Sequence, residues 1–134
     1  MVRYIWIVLA IAGSVLACSA PVQARCPFEE VVGCDAAGFL LDDSSKRRLS
    51  QEEQDLISET DGGDDSPGAG ERRLNRLRLM RNEIYARHGY IFQDRKLQAY
   101  FDLKTWYRRV SRDVKLSDIE QYNVDALKRI EALK

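Results

Sequence analysis

Histidine is almost missing from this 134-residue chain, where His88 stands alone. A lone imidazole cannot build a His-rich metal centre, and no cysteine lies near it in sequence. Cysteine is scarce too: Cys18, Cys26 and Cys34 include no Cys-x-x-Cys pair of the kind that zinc or redox work requires. There is no Gly-x-Ser-x-Gly elbow, no phosphate-binding loop and no zinc signature. Beyond the N-terminus no long apolar run occurs, and no segment alternates apolar and polar residues as a half-buried strand would. These absences argue against a metal, a cofactor, a recognisable catalytic set and a sheet. They leave a mainly α fold.

The N-terminus is the exception to the polar rule. Arg3 is a minimal positive start, and Tyr4 to Val15 is apolar apart from Gly13 and Ser14. That length suits the core of a secretory signal and is too short to span a bilayer. The protein is therefore expected to be exported, to the periplasm or beyond the cell. Two exits from the signal are open. Val22-Gln23-Ala24 has the small-x-small form that ends a cleaved signal, so residues 1–24 would be removed and Arg25 would begin the mature chain. Alternatively, Val15-Leu16-Ala17-Cys18 resembles a bacterial lipobox, with a signal ending at residue 17 and a lipid on Cys18. Contact with a membrane is expected only through the signal or that anchor.

Either exit leaves Cys26 and Cys34 as a pair. In an oxidising compartment they are expected to form a disulfide, and the short ring would remove roughly 2–3 kcal/mol of unfolded-state entropy.

Formal charge is zero, but the two halves differ. Residues 25–71 hold 4 basic and 13 acidic side chains, a net of −9, whereas residues 72–134 hold 16 and 8, a net of +8. An anionic partner would suit the basic half, and the acidic half could equally lie against it. Nucleic acid is not an expected partner of an exported protein.

Along the chain, residues 25–58 read as an acidic arm that ends in a lead-in helix. Ser50 and Glu53 form a capping box there, and Leu56 and Ile57 are the helix's only apolar pair. Residues 59–70 carry glycine, aspartate and proline with no large apolar side chain, the composition of a flexible linker. A basic helix is then predicted from about Glu71 to His88. Leu74, Leu77, Met80 and Ile84 share one face, and Arg72, Arg73, Arg76, Arg78 and Arg81 crowd the polar one. Gly89 stops that helix. Asp94 caps a third helix carrying Leu97, Tyr100, Phe101 and Leu103. Ser117 and Glu120 cap a fourth, with Ile119, Tyr122, Ala126, Leu127, Ile130 and Leu133 on one face. The expectation is a small bundle of three to four short helices with a flexible acidic insertion and a disulfide-tied N-terminal arm.

Tyr85-Ala86-Arg87-His88-Gly89 also spells the signature of the YARHG domain, a small module of bacterial envelope proteins. Arg81-Asn82-Glu83-Ile84 before it and Tyr90-Ile91-Phe92 after it are similar to the family, as are Leu97 to Phe101, Trp106-Tyr107 and Ile119-Glu120-x-x-Asn123. Asp43 to Ser50 resembles the lead-in found before many such domains. The resemblance runs from about Leu40 to Lys134, with the helical domain proper at residues 71–134. It implies an extracytoplasmic address and no settled activity.

Three roles compete for the residues that stand out. Asn82, Glu83, Tyr85, Gly89 and Phe92 read as the structural motif, with Glu83 and Arg87 as an ion pair. His88 reads as a helix-end residue, bonded to a last-turn carbonyl or favoured there by the helix dipole. Arg81, Arg87, His88, Trp106, Tyr107, Arg108 and Arg109 are the candidate binding residues, because aromatic faces stack on sugars and arginines hold anions. Trp106 and Tyr107 could equally be core anchors. The leading function is a non-catalytic extracytoplasmic binding or interaction module, directed at an envelope protein or a cell-wall component. The alternative is a cell-wall or glycan-active hydrolase using Glu83 and His88, with Asp94 or Asp102 as a second carboxylate. A third is a structural accessory whose acidic arm shields its own basic helix.

Overall fold

Four helices and no sheet make up the described residues of the computed structural model, which are 26–28, 37–59 and 66–133. The signal at 1–24, Cys18, Cys34 and residues 60–65 of the acidic stretch lie outside them. The helices are α1 (Gln51–Glu59), α2 (Ala69–Arg87), α3 (Arg95–Asp102) and α4 (Asp118–Ala132).

Local chemistry sets most of their ends. At α1 the Ser50 N–H donates to Glu53 Oε2 at 2.8 Å, and the Glu53 N–H donates to Ser50 Oγ at 3.2 Å. Asp94 caps α3 by accepting from the Lys96 and Leu97 amides at 2.8 and 3.1 Å. Ser117 and Glu120 form the reciprocal box at α4. Each such cap satisfies amides that a helix start leaves open, typically worth about 1 kcal/mol. Helix α2 begins at Ala69 rather than Glu71, because Gly68 takes a left-handed φ of 84° and the Ala69 amide closes a turn onto Ser66.

Two of the expected apolar faces need correction. In α1 it is Gln54 that is buried, while Leu56 is 64% exposed. Gln54 and Ile57 lie three apart on the face turned to α4, and Leu56 falls outside that stripe. The buried amide is compensated, since Gln54 Nε2 donates to the Leu49 carbonyl at 3.0 Å. Leu133 was expected on the inner face of α4 and is 68% exposed. It lies past the helix end with a ψ of 72°, so it has left the helical register.

The long helix α2 has core on two sides. Leu77, Met80 and Ile84 pack with Leu49, Val124, Leu127 and Ile130 in an aliphatic cluster shared with α4. Leu79 and Ala86 join Phe28, Phe92, Leu97, Tyr100, Phe101 and Tyr107 in an aromatic one. The rings interlock: Phe92 stacks on Phe101 at 4.9 Å, and Tyr100 meets Phe101 edge-on at 5.0 Å. Leu40 and Tyr85 touch both clusters, and half-buried Cys26 lies against the aromatic one. The segment before α1 therefore belongs to the same core as the helices after the linker.

Candidate functional site

Glu83 is the most buried charge in the signature helix, with 1% of its surface exposed. Its carboxylate accepts from two successive backbone amides of the lead-in, Leu40 at 2.6 Å and Leu41 at 3.0 Å. Arg87, one turn on, donates to the same carboxylate at 2.9 Å. The guanidinium also donates to the carbonyls of Leu41 and Asp42 and lies 4.5 Å above the Phe39 ring. A buried carboxylate with this many donors is fully compensated. The pair reads both sides of one stretch of backbone, amides through Glu83 and carbonyls through Arg87.

Asn123 in α4 does the same further along the lead-in. It is completely buried, accepts from the Leu49 amide at 2.8 Å, and donates to the carbonyls of Ser44 and Arg47 at 2.8 and 2.9 Å. Three side chains from α2 and α4 thus hold residues 40–49 by their backbone. The side chains of Leu40, Leu41 and Leu49 meanwhile enter the clusters below. A cleft of about 220 Å³ stays open beside this strap, lined by Leu40, Leu41, Asp43, Ser44, Arg47 and Leu49 among others.

The His88 amide closes the last turn onto the Tyr85 carbonyl, but its ring does not bond a last-turn carbonyl. Its Nε2 lies 2.8 Å from Glu120 Oε1 at the start of α4, with 37% of the histidine side chain exposed. Glu120 also accepts from the Ser117 amide and hydroxyl at 2.9 and 3.0 Å. Burial alone would push this carboxyl up. The Ser117 amide, the Ser45 side chain, His88 and the Ser117 hydroxyl outweigh it and bring the group down to about 2. An ionised Glu120 can only accept, so His88 donates. The imidazole fastens the end of the signature helix to the beginning of the last helix.

The aromatic and basic candidates separate in space. Tyr107 is buried, donating to the Tyr90 carbonyl at 2.6 Å and accepting from Gln98 at 3.1 Å, and burial raises its phenol. Half-buried Trp106 stacks on Phe39 at 4.8 Å and meets Phe101 edge-on. One face of the indole is thus covered by the lead-in. Arg109 is paired with Asp102 and holds that carboxyl low. Arg81 lies 3.2 Å from Glu131, which ties α2 to α4. Asn82 donates back to the Arg78 carbonyl at 2.7 Å, and Arg78 pairs with Asp94 at 2.6 Å. Arg73 reaches the Ser58 carbonyl at the end of α1. Much of the basic face of α2 is therefore spent inside the chain. Arg108, Val110 and Arg112 remain on the outside of the segment after α3, with Val110 72% exposed.

Gly89 and Phe92 complete the motif. Gly89 has a φ of 74°, and a Cβ there would meet the Arg108 carbonyl oxygen at 2.6 Å. Its own carbonyl accepts from the Val110 and Ser111 amides, and Tyr90 pairs with Ser111 in an isolated parallel bridge. The Phe92 amide donates to Gln98 at 2.8 Å, and its ring fills the aromatic cluster.

Chemically, the site is a set of latches. Glu83 and His88, the pair a hydrolase would use, are engaged by different partners, and Asp94 and Asp102 hold arginines. Among the described residues no group of three or more His, Cys, Asp or Glu side chains could hold a metal ion, and no helix is long and apolar enough to cross a membrane. Asn123 carries a role that sequence reasoning did not assign. The signal available for Asn123 was an amide set within an apolar helix stripe, where asparagine is a poor helix former.

Comparison with known proteins agrees with the signature. The YARHG domain family matches residues 67–132, so a small α-helical domain of this kind, typical of bacterial proteins outside the cytoplasm, is present there. No curated protein and no solved structure matches the chain.

Proposed function

With a YARHG domain at residues 67–132 as premise, we propose that this chain is a non-catalytic interaction module of the bacterial cell envelope. The observation that carries the reading is the engagement of Glu83. Its carboxylate takes two backbone amides and an arginine, so it organises the domain instead of moving protons. The same holds for His88 against Glu120. The outward-facing residues Arg108, Val110 and Arg112 suit recognition by an anionic or mixed surface better than they suit chemistry. The partner is a cell-wall component or another envelope protein.

Export belongs to the same proposal. The apolar stretch Tyr4 to Val15 carries the chain out of the cytoplasm, where Cys26 pairs with Cys34. Intact mass of the mature protein reads the exit chosen: an Arg25 start after signal cleavage, or a lipid-bearing Cys18.

Co-sedimentation with purified cell-wall sacculi, at low and moderate salt, tests the partner. Binding that survives moderate salt and falls with Arg108→Glu or Val110→Asp supports a wall-recognition surface. Binding lost at modest salt is charge attraction alone. Turnover of wall material that is abolished by Glu83→Gln would overturn the non-catalytic reading.

A further inference from the structure

Residues 40–49 are held the way a bound peptide is held. Side chains of α2 and α4 contact the strap through its backbone: Glu83 takes the amides of Leu40 and Leu41, and Arg87 takes the carbonyls of Leu41 and Asp42. Asn123 takes the carbonyls of Ser44 and Arg47 and the amide of Leu49. Leu49 enters the aliphatic cluster of Met80, Ile84, Val124 and Leu127, and half-buried Leu40 and Leu41 pack against it. Backbone bonds for affinity and spaced pockets for register are the usual division of labour in peptide recognition.

The part that receives and the part that fills lie on either side of the boundary of the family match. The family match spans 67–132 and leaves the strap outside it. Without the strap, Glu83 and Asn123 would lose the bonds that justify their burial, and leucine-sized pockets would open. A domain built this way is complete only when a segment of that pattern occupies it. In sequence, two glycines and no large apolar residue stand between Glu59 and Ser66.

We infer that the α2–α4 groove is a peptide-binding site filled in cis, and that its partner in trans is a second copy of this chain exchanging residues 37–59 together with 26–28, whose Phe28 joins the aromatic cluster. The segment shown to fit the groove is Leu40–Leu49 itself, so a second copy carries a matching ligand by construction. Reciprocal exchange remakes every bond named above and leaves no groove empty, the low-cost route to a two-fold dimer. The inference rests on the reading of the chain as an interaction module, but its test stands apart. A protein that binds wall material and never exchanges fails here and passes there.

The experiment uses the mature full-length chain in light and heavy nitrogen forms. The two are mixed, concentrated to about millimolar, warmed to just below the melting midpoint and cooled. Amine cross-linking then reads whether Lys46 of one isotope joins Lys128 of the other. Mixed-isotope links, in a dimer fraction that grows with concentration, are expected. Links within one isotope only, with a monomer at every concentration, overturn the inference. A complementation arm adds a second readout. A chain with its strap broken (Leu40→Asp, Leu41→Asp) is mixed with one whose groove is broken (Glu83→Ala, Asn123→Ala). The intact strap of the second should fill the intact groove of the first and raise the melting midpoint by about 5 °C or more over the parents. A mixture that melts as the sum of its parents argues against exchange. Should either variant fail to fold alone, rescue on mixing still supports the inference, and the isotope arm decides it without any substitution.

Discussion

The carbonyl of Gly89 accepts from the amide of Val110 at 2.8 Å, across a gap with no room for a side chain on the glycine. A Cβ there would lie 2.6 Å from the Arg108 carbonyl oxygen and 2.8 Å from Val110 Cβ, as well as meeting its Cγ2. The signature glycine therefore serves two needs at once. It adopts a φ of 74° to end the helix, and it lets the segment after α3 dock on the turn. Gly89→Ala should cost more than the roughly 1 kcal/mol of a left-handed residue alone, and about 2–4 kcal/mol with the clash included. Urea unfolding gives the number. A loss below 1 kcal/mol would show that Arg108 and Val110 move aside freely.

Asn123→Ala should be among the most damaging single changes away from the aromatic rings. It strips the Leu49 amide and the Ser44 and Arg47 carbonyls of their partner in a buried place. Leaving such groups unpaired costs on the order of 2–4 kcal/mol in total. Hydrogen exchange separates this effect from general loosening. The Leu49 amide should lose its protection while amides in the middle of α3 keep theirs, and equal loss at both would place Asn123 in a purely global role.

Acid should weaken the protein through Glu120 in particular. The folded carboxyl sits at about 2 against an ordinary 4.5, so between those values the unfolded chain binds the proton more readily. The stability it contributes is complete above about pH 4.5 and drains away as pH falls toward 2. Glu53 is also brought to about 2, chiefly by its bond from Arg47, but both members of that pair are partly exposed and solvent screening shrinks its share. Glu120→Gln should cost on the order of 2–3 kcal/mol at neutral pH and flatten the acid limb of stability against pH. Urea midpoints taken from pH 2 to 7 would check it, and a variant whose acid limb parallels wild type would sink the assignment.

How much of this was legible beforehand follows the range of each interaction. Caps at Ser50, Asp94 and Ser117 involve partners two or three residues away, so spacing alone reveals them. The helix stop at Gly89 is equally local. Glu83 presents the opposite case. Its i,i+4 bond to Arg87 was visible, but the amides of Leu40 and Leu41 lie more than forty residues back in the chain, and no spacing rule reaches them. For His88 the carbonyls of its own helix end are the partners that spacing suggests, and Glu120, 32 residues away, is the one its ring meets. The stacking of Phe39 on Trp106 belongs to the same class. In the acidic lead-in the run from Gly38 to Leu41 reads as an apolar anchor, but nothing local points to the side chains of α2 and α4 that hold its backbone.

That covering of Trp106 changes what its substitution can prove. Trp106→Ala removes the stack on Phe39 and the edge contact with Phe101, and for a half-buried indole should cost roughly 2–3 kcal/mol of stability. Tyr107→Phe keeps the ring and loses the bond to the Tyr90 carbonyl and that from Gln98, a change of about 1–2 kcal/mol. Because burial raises the Tyr107 phenol, spectrophotometric titration of wild type should include a step above the ordinary tyrosine range that is missing in Tyr107→Phe. If Trp106 is an anchor, wall or partner binding in Trp106→Ala should fall only where the melting midpoint has fallen, and should return at lower temperature as the fold recovers. Binding lost at an unchanged midpoint would instead make the indole a contact residue, reached when Phe39 swings off its face.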